Sequence, residues 1–185
     1  RAFKPPFDWG EEVTGQAWHS FYEVYQRWLR RPFEQLYYHE PEVGEAEVEV
    51  LAVDGNKVRI EPQLFFPESG GQPGDQGRLG PWRVRDTQLM DGQAILLMEA
   101  DAEVKEGKTY EAKVALERRQ HFRRQHTAEH LLMGYAHRLY GMENSGFHMS
   151  EDYFTMDLDR RLSKEEIREL ERLGNQGVRA NLPVR

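Results

Sequence analysis

Two histidines, His126 and His130, stand four residues apart in the stretch Arg118-Arg119-Gln120-His121-Phe122-Arg123-Arg124-Gln125-His126-Thr127-Ala128-Glu129-His130-Leu131-Leu132. On an α-helix that spacing stacks both side chains on one face, a turn apart. Two imidazoles held in this way can grip one transition-metal ion. Arginines crowd the turns just before them, so the pattern suggests a metal site beside a surface suited to an anionic partner. The pair also spells His-x-x-Glu-His, the inverted zinc-protease order, in which Glu129 is the general base. That chemistry needs a third ligand, and Glu165, Glu166, Glu169 and Glu171 are available downstream. Peptidases of this kind, however, are built on longer chains with a broad cleft. An i, i+4 histidine pair also arises by chance on an exposed helix face. His137, eleven residues past His126, returns to nearly the same face, as a second partner or as a surface residue.

A second constellation is Phe65-Phe66-Pro67-Glu68-Ser69-Gly70-Gly71-Gln72-Pro73-Gly74-Asp75-Gln76-Gly77. Four glycines in eight residues allow positive φ angles and close approach of backbone to a ligand. The run matches neither a dinucleotide fingerprint nor a P-loop, because no Gly-Lys-Ser/Thr ending and no following helix is present. It reads either as a structural loop between strands or as a loop lying against a sugar-phosphate end. In the second case Gln72 and Asp75 supply hydrogen bonds.

The elements that must position these groups follow from periodicity. After a Pro-rich aromatic arm, apolar residues Ala17, Phe21, Val24, Tyr25, Trp28 and Leu29 recur at helical spacing, predicting a helix over 14–38 that Pro32 bends or interrupts. His19 and His39 read as surface or packing residues. From Val43 the pattern alternates, and Glu45 to Val53 reads as a half-buried strand. Asp54-Gly55-Asn56 turns the chain into a second strand, Lys57 to Glu61. Further strands are expected at 82–89, 94–99 and 109–115, with turns at Asp91-Gly92 and at 105–108. Five or six short strands at this spacing suggest a small barrel or sandwich. A helix is predicted from Glu117 to Tyr140, with Gly141 as its C-cap. A strand is expected at 152–158, and a last helix opens at Ser163 with a capping box to Glu166.

Composition sets the limits. The 185 residues suit one substantial domain or two small ones, and 38% hydrophobic with 31% charged residues reads as soluble and globular. No apolar run reaches the length of a membrane span and no signal-peptide pattern opens the chain. With no cysteine, disulfides are excluded, and a metal must be held by nitrogen and oxygen or by sulfur from elsewhere. These features favour the cytoplasm. The net charge of −7 and pI of about 5.6 imply that nucleic-acid contact is local. The candidate patches are Arg118, Arg119, Arg123 and Arg124, with Lys4, Arg27, Arg30 and Arg31 as a second group; each reads equally as a solvated helix face.

Taken together, the two constellations resemble one family. The glycine loop is similar to the Phe-Tyr-Pro-x-Gly-Gly-Gln-Pro-x-Asp-x-Gly segment of alanyl-tRNA synthetase editing domains and of the free-standing AlaX trans-editing proteins. Glu117-Arg118-Arg119 and Arg124 to Leu132 resemble the family's metal-binding helix. Gly146-Phe147-His148-Met149-Ser150-Glu151-Asp152 and Met156-Asp157-Leu158-Asp159 resemble the strand that follows, and Arg179 to Val184 the end of the next helix. The order agrees from about Val43 to Arg185; residues 1–42 match no part of the pattern.

Periodicity and the resemblance together predict an α+β fold. It comprises an N-terminal helical extension (1–42), a small β-barrel domain (43–116) and a two-layer α/β editing domain (117–185). The resemblance implies a trans-editing hydrolase that deacylates mischarged tRNA(Ala), removing serine or glycine from the terminal adenosine ester. Zinc would be held by His126 and His130, with Glu129 and Gln72 catalytic. Gly70, Gly71, Asp75, His148, Arg123 and Arg124 would bind substrate. The family completes its zinc site with a later Cys-x-x-x-His. Here those ligands would lie beyond Arg185 on a longer polypeptide, or the site is incomplete. The implied partner is tRNA rather than DNA or a membrane. The first 42 residues are free to pack on the barrel, bind tRNA or support a homo-oligomer. The rival readings are a His-x-x-Glu-His zinc peptidase and a non-catalytic tRNA-binding module of the same fold.

Overall fold

A computed structural model describes residues 35–181. The predicted N-terminal arm and most of the helix expected over 14–38 lie outside them, as does the second basic group. The described chain opens with a single helical turn, α1 (Leu36–His39), on which Tyr37 is buried and His39 exposed. Six strands follow: β1 (Glu45–Asp54), β2 (Lys57–Glu61), β3 (Gly77–Leu79), β4 (Trp82–Met90), β5 (Gln93–Met98) and β6 (Thr109–Val114). They close an antiparallel barrel in the order β1-β2-β5-β4-β3-β6.

The barrel follows from alternation. Along β1, Val48 and Val50 point inward while Glu45, Glu47 and Glu49 face solvent. Val58, Ile60, Leu64, Phe65, Leu79 and Leu96 complete a core in which none of these side chains is more than 2% exposed. Burying such residues contributes roughly 1.5–3 kcal/mol each. Two tight turns set the register. Asp91 and Gly92 both have positive φ, 50° and 73°, the pattern of a type I′ hairpin, and they pair Met90 with Gln93. Gly55 (φ 58°) does the equivalent between Asp54 and Lys57. The short strand β3 was not expected from the sequence; it pairs with both β4 and β6 and closes the cylinder.

Helix α2 (Leu116–Tyr140) leaves the barrel directly and ends where Gly141, at φ 64°, donates its N–H to His137 O at 2.8 Å. An antiparallel hairpin, β7 (Asn144–Met149) and β8 (Phe154–Leu158), then packs near it. The strand expected to begin at 152 starts two residues later. Helix α3 (Lys164–Ala180) carries the expected capping box: Ser163 accepts from the Glu166 N–H, and Glu166 accepts from the Ser163 N–H. It lies close along α2, because a Cβ at Gly174 would come within 2.8 Å of Leu132. The architecture is α+β, a closed six-stranded barrel followed by helices and a small second sheet. Of the two-layer domain expected over 117–185, the described residues contain two helices and one two-stranded sheet. No helix among them is long and apolar enough to cross a membrane.

One buried arginine fastens the two parts. Arg119, 2% exposed, donates from Nε and Nη2 to Asp75 Oδ2 (2.8 and 2.5 Å) and from Nη2 to Leu64 O (2.6 Å). Asp75 Oδ2 also accepts the Phe66 N–H at 2.6 Å. Burial pushes the Asp75 carboxyl up, against the pull of Arg119 and the Phe66 amide.

Candidate functional site

The glycine loop reaches α2 through a two-residue turn. Ser69 and Gln72 exchange both backbone hydrogen bonds, at 3.1 and 3.0 Å, around Gly70 (φ 57°) and Gly71 (φ 77°). Two successive positive φ values are the demand of a type I′ turn, which glycine meets without strain. Gly74 answers a different need: a Cβ there would sit 2.0 Å from Thr87 O. The turn therefore lies flat against its neighbours. A Cβ built at Gly70 would sit 3.5 Å from His126 Cε1, so Gly70 faces that ring, and Gly71 faces the Phe147 ring.

The expected histidine pair comes together. The rings of His126 and His130 stack with centroids 4.9 Å apart and planes 20° apart. His126 Nδ1 lies 3.2 Å from Gln72 Oε1, and the Phe147 ring lies beside it, tilted by 35° at 5.7 Å between centroids. Burial, and then the neighbouring His130, hold its pKa below the ordinary histidine value. That favours the neutral ring a metal requires. His130 is exposed, and its Nδ1 lies 3.2 Å from Glu129 Oε2. Glu129 is 2% exposed, and its other oxygen accepts from Asn144 Nδ2 at 2.8 Å. The Gln72 oxygen opposite His126 Nδ1 favours the proton on Nδ1 and leaves the Nε2 lone pair of that ring free, on the side of Gly70. Among the described residues no third His, Cys, Asp or Glu gathers with the pair.

The other expected residues divide. Asp75 is not presented to a ligand, because its carboxylate is engaged by Arg119 and Phe66. His148 is exposed on the face of β7 opposite Phe147, since adjacent strand residues point to opposite sides. The four-arginine patch halves. Arg119 is buried, and Arg118 donates to Gly74 O (2.8 Å) and Glu151 (3.0 Å) while lying 4.6 Å over the Phe122 ring. Arg123 and Arg124 face outward, Arg123 pairing with Glu42 at 2.6 Å. His137 belongs to the helix end, where Nδ1 meets Met142 O and Glu143. Sequence reasoning missed Asn144 and Phe147 as site residues; the Gly146-Phe147-His148 motif marked the strand, and no local signal marked Asn144.

Fold and site together define an α+β protein with two stacked imidazoles beneath a glycine turn. No family model matches the chain. Curated relatives do match: alanine–tRNA ligase of Pyrococcus furiosus is 35% identical over 158 residues, 81% of this chain and 17% of the relative's length. The enzymes of Methanopyrus kandleri (35% over 163 residues) and Methanothrix thermoacetophila (32% over 159 residues) each cover 82% of the chain. The chain spans only 17–18% of the length of these relatives. It is a homologue of alanine–tRNA ligases, consistent with an editing domain of the alanyl-tRNA synthetase and AlaX kind.

Proposed function

We propose that the chain is a trans-editing hydrolase that deacylates tRNA(Ala) mischarged with serine or glycine, cutting the ester at the terminal adenosine. The supporting observation is the stacked histidine pair beside the Gly70-Gly71 turn, with His126 Nδ1 engaged by Gln72. Two such imidazoles fit half of a tetrahedral zinc site, with the remaining donors supplied from outside the described residues. Zinc bound there would polarise the ester carbonyl or lower the pKa of a water.

The chain's own residues orient and bind. Gln72 holds the His126 ring, and the buried Glu129 carboxylate lies beside His130. Gly70 and Gly71 present bare backbone to the aminoacyl-adenosine end. Arg123 and Arg124 meet acceptor-stem phosphates through salt-sensitive contacts. The stem is read by its shape and its minor groove, because side chains cannot enter the deep, narrow major groove of an RNA helix. The peptidase reading fares worse. Its general base must be open to a water in a cleft, whereas Glu129 is 2% exposed and accepts from Asn144 Nδ2.

The test uses seryl-, glycyl- and alanyl-tRNA(Ala), with and without chelator. Serine and glycine are released and alanine is spared, while chelation or His126→Ala abolishes release. Salt-sensitive tRNA binding with no release under any condition would establish the non-catalytic module instead.

A further inference from the structure

We infer that β8 is a docking edge for a second copy of this chain, the two hairpins joining antiparallel into one four-stranded sheet. An apolar groove of about 390 Å³ runs between β8, α2 and α3. Phe154 and Met156 of β8 line it and no residue of β7 does, so the groove opens on the β8 side of the hairpin. Across it, α3 leaves Ile167 and Val178 51% and 68% exposed. β8 pairs with β7 on one edge and, among the described residues, with no strand on the other. Its five residues include no proline or lysine to obstruct an added strand. A strand laid there would turn alternate side chains into the groove.

Charge complementarity selects the occupant. Phe154, Met156 and Leu158 are half-buried toward the helices, while Thr155 and Asp157 are exposed on the other face. A two-fold axis normal to the sheet keeps the helices of both copies on one side. An axis at Met156 sets that residue opposite itself, Phe154 opposite Leu158 and Thr155 opposite Asp157 of the other copy. Continued past the strand ends, the same register sets Arg160 opposite Asp152 and Arg161 opposite Glu151, and symmetry makes each pair twice. All four of these side chains are exposed. Within one copy Arg160 bonds Glu166 and Glu151 bonds Arg118, so the new pairs extend existing ones. The neighbouring registers that keep the same face inward lose this match. An axis at Asp157 sets Asp157 against its own copy, and an axis at Thr155 sets Asp159 against Glu151. Like charges directly opposite are destabilising. β8 and its flanks therefore complement themselves in a single register.

The experiment exploits a chain that contains no cysteine, so that single cysteines report the register. Met156→Cys puts two thiols on the axis, with Cα atoms about 4.5–5.5 Å apart and within reach of a disulfide, and mild oxidation should join two copies. Thr155→Cys and Asp157→Cys should not join alone but should join each other when mixed. Sedimentation of the whole chain at rising concentration should move from 21.8 kDa toward twice that mass. Val178→Asp, at an exposed position, and Arg161→Glu should each weaken the association about tenfold or more. Arg161→Glu combined with Glu151→Arg should restore it. A chain that stays at 21.8 kDa throughout, its groove filled by another segment or another protein, overturns the inference. So does a dimer in which Met156→Cys fails to crosslink, or in which Thr155→Cys or Asp157→Cys crosslinks with itself instead. None of these measurements uses tRNA or metal, so each outcome leaves the deacylase reading to its own test.

Discussion

At the scale of single residues, Gly71 and Gly55 make a controlled comparison. Both have positive φ, 77° and 58°. A Cβ at Gly55 meets nothing within 4 Å, whereas at Gly71 it meets Phe147 Cδ1 at 2.6 Å and Phe147 O at 3.1 Å. Gly55→Ala should therefore cost only the left-handed strain, about 1–2 kcal/mol. Gly71→Ala adds overpacking and should cost about 1–3 kcal/mol more. Urea midpoints of the two variants measure the difference, and equal losses would mean that the turn does not press on β7. This contact is also where legibility ran out. The Gly-Gly pair announced a turn because its backbone demand is local. What Gly71 touches is Phe147, more than seventy positions away, which no local pattern encodes. Arg119 is the sharper case. In the sequence it is one of four similar arginines, and only the closed barrel turns it inward onto Asp75.

At the scale of elements, α3 carries a pH-dependent start. Arg160, with the Ser163 N–H, lowers the Glu166 carboxyl from 4.5 to about 2. A folded-state pKa below the unfolded value means stabilisation that is complete above the unfolded value and lost as pH falls through the folded one. The first turn of α3 should therefore fray between about pH 4.5 and 2, while Glu166→Gln should be weakened already at neutral pH. Amide exchange at Glu166 and Ile167 reads this directly; protection that is flat across the window would refute it. The capping box was visible in the sequence because both partners lie within one turn. The alternation of β1 was visible because one face is the barrel interior. Strand β3 was hidden for the opposite reason: three residues inside a glycine run become a strand only when β4 and β6 flank them.

At the scale of the whole molecule, the Arg119–Asp75 pair joins barrel to helix. Arg119→Met leaves a buried carboxylate without its cation and should lower stability by about 3–5 kcal/mol. Adding Asp75→Asn removes the orphaned charge while keeping an acceptor for the Phe66 N–H, so the double variant should recover part of the loss. Denaturant unfolding of the two variants measures this, and a double variant as weak as the single one would argue that the pair is not the fastening. The barrel's closure has a separate bearing on self-assembly. A cylinder whose last strand bonds its first leaves no unzipped rim, whereas β7 and β8 pair only with each other among the described residues. Unsatisfied strand backbone is thereby concentrated in a single small hairpin. Any strand-to-strand recruitment of a foreign chain, or any clumping under stress, would start from that ribbon and leave the cylinder a bystander.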